Sequence, residues 1–128
     1  LGTYVLSAGF YDAYYNTALK VRTLIKNEFQ KVFETYDAII GPTTPTGPRK
    51  LGERSENIVE EYLNDLYTVT ANIAGVPAIA FPMGFHEGLP MSCQLIGDYF
   101  NEAKLFDIAY GYERAHEFNS RYPKEETR

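Results

Sequence analysis

The chain has 128 residues, 45% of them apolar and 23% charged, with 11 Tyr and 8 Phe; that is enough for one domain with a core, and it excludes wholesale disorder. The formal net charge of -5 argues against a nucleic-acid groove built from this segment alone, because phosphate binding needs a clustered basic face. A single cysteine excludes an internal disulfide and fits a reducing compartment, and no apolar run approaches the roughly 18 residues of a membrane-spanning helix.

The sequence opens at Leu1 without Met or a basic leader segment, as expected of a piece of something longer. From about Phe10 to Tyr36 the apolar residues Tyr11, Tyr14, Ala18, Val21, Ile25, Phe29, Val32 and Tyr36 recur at spacings of three and four, which predicts one long amphipathic helix. Ser7 or Asp12 could cap its start. Lys20, Arg22, Lys26 and Lys31 lie along it, interrupted by Glu28 and Glu34, and read as a solvated helix face. The run Ala38-Ile39-Ile40 reads as a buried strand. Gly41 to Asn57, with Pro42, Pro45, Pro48, Gly41, Gly47 and Gly52, must form a surface loop, long enough to suspect a role.

Residues 58–74 predict a second helix. Wound at 100° per residue, Ile58, Val59, Tyr62, Leu63, Leu66, Val69, Thr70, Ile73 and Ala74 share one broad apolar arc, with Asp65 at its edge. Gly75 and Pro77 are expected to end that helix. AIAFPMGF and MSCQLIG flank HEGLP and read as two strands joined by a turn; both are apolar on nearly every position, the mark of a sheet covered on both faces. Pro82 and Pro90 each require an edge or a bulge. NEAKLFDIAYGYERAHEF predicts a last helix with Asn101 as N-cap, and the tail from Asn119 is polar. The order is helix, strand, helix, strand, strand, helix. Three strands with so few helices do not complete a doubly covered sheet, so further strands are expected in sequence outside these residues.

Little chemistry follows from spacing. There is no G-x-S-x-G elbow, and Ser7 reads as a residue introducing the long helix rather than as a nucleophile, since nothing supplies a paired base. His86 and His116 have no companions at ligand spacing, so no metal site is expected. Cys93 alternates with Met91 and Leu95 as a small buried apolar residue would, and GPTTPTGP lacks the lysine of a phosphate loop. Asp65 remains. By the residues alone it is either a solvated carboxylate at a helix border or an anion awaiting a cationic ligand group, since an unpaired buried carboxylate costs several kcal/mol.

The segments YDAYY, KVRTLIK, GPTTPT, NIAGVPAI and GLPMSCQLIG resemble the C-terminal part of the amidase-signature family, and within it the glutamine-hydrolysing A subunits of tRNA-dependent amidotransferases. The resemblance covers residues 1–118, with 119–128 as a polar tail. It implies an α/β fold, the C-terminal part of a mixed sheet covered by helices, with about three strands and three helices in this chain. It implies an enzyme that hydrolyses glutamine through a serine acyl-enzyme, using a lysine and two serines. Its ammonia passes to a B subunit that uses ATP and magnesium to turn Glu-tRNA(Gln) into Gln-tRNA(Gln), and a small C subunit makes up the cytoplasmic heterotrimer.

No residue here matches the lysine or either serine, so by this resemblance the chain holds no catalytic residue and no cofactor and is inert by itself. Asp65 matches the family's aspartate that binds the substrate α-ammonium; the arginine that binds the α-carboxylate lies ahead of Leu1, and Arg22, Arg49 and Arg54 are not its counterparts. Two other readings stay open: another amidase-signature hydrolase acting on simple amides, and a non-catalytic interaction module. The cut sheet is expected to make the isolated chain self-associate.

Overall fold

In the computed structural model, which describes residues 14–52 and 58–121, the long amphipathic stretch forms helix α1, Asn16–Phe33. Ser7 and Asp12, the proposed caps, lie outside the described residues, as do residues 122–128 of the polar tail. The helix stops three residues short of Tyr36. There the amide of Tyr36 bonds the Val32 carbonyl at 2.9 Å, and the chain enters strand β1, Ile39–Pro42.

The expected second helix comes as two short ones, α2 at Ile58–Leu63 and α3 at Val69–Ala74. Between them the chain winds more tightly. Asp65 N donates to Tyr62 O at 3.3 Å, Leu66 N to Leu63 O at 3.1 Å and Thr68 N to Asp65 O at 3.2 Å, all spaced at three residues. Asn64 and Asp65 compete poorly for a helix interior, and the β-branched run Thr68-Val69-Thr70 adds to the crowding. At about three residues per turn the side chains fall out of a 3.6-residue register, so the single apolar arc drawn through Asp65 does not exist in the folded chain.

Gly75 ends α3 as its sequence predicts: it takes the left-handed conformation at φ 77°, and Gly75 N and Val76 N both bond Ala71 O, at 2.8 and 3.2 Å. A residue with a Cβ resists that conformation. Strands β2, Ala78–His86, and β3, Leu89–Ile96, form the expected hairpin. Its turn residues Glu87 and Gly88 both have positive φ, 52° and 79°, which matches the right-handed twist of the flanking strands.

The sheet order is β1-β3-β2, antiparallel throughout. Ile39 stands opposite Ile96 and Pro42 opposite Cys93. The register of β2 on β3 shifts between Pro82 and Gly84, so Pro82 sits at the bulge its missing N–H demands. Pro90 lies where β3 has no β1 residue beside it, and an edge tolerates it.

Both faces of the sheet are covered, as two-faced apolar strands require. On one face Phe81, Cys93 and Leu95 pack with Leu105 and Ala109 of helix α4, Glu102–His116. On the other, Val76 and Ile96 pack with Ala71 and Ala74 of α3, backed by Ile25, Phe29 and Phe33 of α1. Cys93 is thus the small buried apolar residue expected. Asn101 holds the N-cap position of α4, but its side chain makes no capping bond. The mixed α/β class and the three strands agree with expectation. The count of about three helices also holds, with the second expected helix coming in two pieces among the described residues.

Candidate functional site

Asp65 lies in the tight turn between α2 and α3, exposed to solvent. Its backbone carbonyl is heavily used, accepting Thr68 N at 3.2 Å, Val69 N at 2.9 Å and Thr68 Oγ1 at 3.3 Å. Among the described residues its carboxylate takes no hydrogen bond and no ion pair. The backbone under Asp65 is fixed by several bonds while its charged end stays exposed to solvent.

The residue before it, Asn64, lines a cleft of about 360 Å³ whose other walls include Pro42, Thr44 and Arg49 from the proline-rich loop and Ser92 from β3. Thr44 Oγ1 donates to Thr46 O at 2.7 Å, an intra-loop bond that shapes one lip. The long loop and the Asp65 turn therefore meet across one depression, a juxtaposition that the sequence separates by some twenty residues. The exposed Asp65 carboxylate answers the question of a buried unpaired charge: none is buried here.

Behind this turn stands Gln94, a residue that the sequence patterns did not single out. It is 5% exposed, the sole polar side chain in the buried class among the described residues. Its Nε2 donates to Tyr67 O at 2.9 Å and to Pro42 O at 3.1 Å. One amide in the otherwise apolar run CQLI was the available signal, because a buried amide must find partners.

Two of the basic residues taken for a solvated face are also engaged. Arg22 Nε donates to Ile73 O at 2.9 Å, and the Lys26 ammonium stands 5.0 Å from the centre of the Tyr99 ring. Lys31 pairs with Glu28 at 2.7 Å on the outside, as expected of a solvated face. Of the histidines, His116 stacks on Phe118 with ring centres 5.6 Å apart and 8° between planes. Among the described residues no group of three or more His, Cys, Asp or Glu side chains could hold a metal, and no helix is long and apolar enough to cross a membrane.

A three-stranded antiparallel sheet with helices on both faces matches a known class. Residues 1–106 fit the family model Amidase, and the chain belongs to that family. It is 55% identical over 123 residues to the A subunit of the glutamyl-tRNA(Gln) amidotransferase of Clostridium botulinum, across 96% of this chain and 25% of that protein. It is likewise 55% identical to the A subunit of the Thermoanaerobacter pseudethanolicus amidotransferase, across 94% of this chain and 25% of that one. The crystal structure of the A subunit of the Thermotoga maritima glutamyl-tRNA(Gln) amidotransferase superposes with a TM-score of 0.78 at 45% identity, covering 88% of this chain and 25% of that one. The chain thus spans about a quarter of the length of these relatives.

Proposed function

We propose that these residues form the C-terminal part of the glutaminase subunit of a Glu-tRNA(Gln) amidotransferase, and that Asp65 holds the α-ammonium of the glutamine whose side-chain amide is hydrolysed. The observation that carries the reading is the 55% identity running through 96% of the chain. The geometry supports it: free glutamine is a zwitterion, and a site that selects it over simpler amides needs an anionic anchor that is not already paired. Asp65 is such an anchor, exposed and without a carboxylate partner among the described residues.

The division of labour follows. Two charges about 4 Å apart attract by about 1 kcal/mol in water and several times that once a closed site excludes water. Asp65 therefore orients glutamine strongly only when further polypeptide closes over it. The exposed apolar residues Leu24, Ile40, Tyr62 and Phe106, each 61–76% exposed, are surfaces for such polypeptide. The lysine and two serines of the hydrolytic step, and the arginine for the α-carboxylate, belong to sequence outside residues 1–128, so this chain alone is inactive and self-associates. The ammonia serves a partner, the B subunit, that uses ATP and magnesium on misacylated tRNA, and a C subunit joins them in the cytoplasm; tRNA reaches this chain only through that complex.

The test is to express the complete reading frame that contains these residues, together with its neighbouring subunits, and to measure ammonia release from glutamine and ATP-dependent conversion of Glu-tRNA(Gln). Both activities are expected, and neither from the 128-residue chain alone. A product that cleaves simple amides and ignores glutamine would overturn the assignment.

A further inference from the structure

Gln94 is the least exposed polar side chain described, and neither sheet pairing nor catalysis accounts for it. It stands on the central strand β3, opposite Gly41 of β1 and Ala80 of β2, on the face that α3 covers. Both donors of its amide nitrogen are used. One reaches Pro42 O, where β1 ends and the proline-rich loop begins; the other reaches Tyr67 O in the turn that carries Asp65. Pro42 and Asn64, beside the two bonded carbonyls, both line the 360 Å³ cleft. One buried amide on the central strand therefore ties together the end of β1 and the turn that carries Asp65.

We infer that Gln94 is a positioning residue for the ligand: it fixes the Asn64–Thr68 turn against the end of β1 and so sets where the Asp65 carboxylate stands. The inference rests on the reading of Asp65 as the ammonium anchor. Its physical basis is geometric. The turn is held to itself only by bonds between residues three or four apart, which fix its winding but not its place on the sheet. The Gln94 bond to Tyr67 crosses 27 residues and supplies that placement. An apolar side chain of equal length keeps the packing and removes both donors, so the turn loses its tether while the core stays filled.

The experiment compares Gln94→Met and Asp65→Asn in the complete subunit within its complex, with glutamine and with a primary amide that lacks the α-amino group. Gln94→Met is expected to raise KM for glutamine about tenfold, in the direction of Asp65→Asn, while kcat and the rate on the simpler amide fall by less than about twofold. Equal loss on both substrates would reduce Gln94 to a packing role and overturn the inference. If Asp65→Asn raises KM and Gln94→Met does not, the inference alone fails; if Asp65→Asn has no effect, the Asp65 reading fails and takes the inference with it. Should Gln94→Met not fold, the unmutated complete subunit still decides by NMR with labelled glutamine side chains. Slow exchange of the Gln94 side-chain amide protons, with contacts to Tyr67, supports the tether, and exchange within the dead time overturns it.

Discussion

Arg22 and Ile73 are 51 residues apart in sequence, and the guanidinium Nε of one donates to the backbone carbonyl of the other at 2.9 Å. The last carbonyls of a helix have no partners within it. In α3 three of the last four are met: Ala71 O by the Gly75 and Val76 amides, Ile73 O by Arg22, and Ala74 O by the Tyr99 hydroxyl at 2.7 Å. A cation there also sits at the negative end of the helix. Arg22→Met keeps the aliphatic stem but removes the donor, and should cost about 1 kcal/mol in a urea titration. Lys20→Met, on the same helix and without such a bond among the described residues, is the control and should cost less.

Gly97 touches Leu105. A Cβ at Gly97 would lie 3.0 Å from Leu105 Cδ2 and 3.1 Å from its Cγ, and Leu105 is only 2% exposed and has little room to retreat. Gly97→Ala is therefore expected to destabilise by about 1–3 kcal/mol through overpacking. Leu105→Ala alone should also destabilise, by about 2–5 kcal/mol. Thermal melts of the double variant should show a cost smaller than the sum, since the second change makes the space that the first needs. Simple additivity would contradict the contact.

Lys104 donates to the Asp37 carboxylate at 2.5 Å, joining α4 to the turn before β1. That hydrogen bond, and then the lysine's charge, hold the Asp37 carboxyl below its ordinary value of 3.8. A carboxyl with a depressed folded-state pKa lends stability above its unfolded value and loses it as pH falls through the folded one. The loss therefore falls below about pH 3.8. The Asp37→Asn variant should show a shallower fall of Tm with acid over that window. The difference should be small and should shrink in high salt, because the Asp37 side chain is largely exposed and that of Lys104 partly so.

Cys93 is 4% exposed among Phe81, Leu95, Leu105 and Ala109, and burial pushes its thiol pKa up from 9.0. Both effects suppress reaction, since the thiolate is the reactive form. In native buffer a water-soluble disulfide reagent should label it at least about a hundredfold more slowly than in urea, at a rate that follows opening of the fold. Labelling at the rate of a free thiol would contradict the packing. Cys93→Ser places a hydroxyl in the same apolar site and should cost about 1–3 kcal/mol.

Where local chemistry decides the backbone, the sequence was readable. Gly75 before Pro77 announced the end of α3, Pro82 the bulge, the turn within HEGLP the hairpin, and unbroken apolar runs the doubly covered sheet. The break at Asn64–Thr68 was not readable, because a 100° projection assumes the winding it sets out to detect. Nor were the partners of Arg22, Lys26 and Gln94, which lie 27 to 73 residues away; a cation or amide can announce that it needs a partner, but only the fold supplies one. At the site, Asp65 was singled out as a carboxylate of interest, yet its place at an apolar helix edge was replaced by an exposed position on a tight turn.

The most direct test of the account is the Asp65→Asn variant of the complete subunit in its complex, assayed for ammonia release across a range of glutamine concentrations. Loss of the ammonium's anionic partner is expected to raise KM for glutamine by at least about tenfold, with a much smaller effect on an amide that has no α-amino group. An unchanged KM for glutamine, or an equal loss on both substrates, would contradict it.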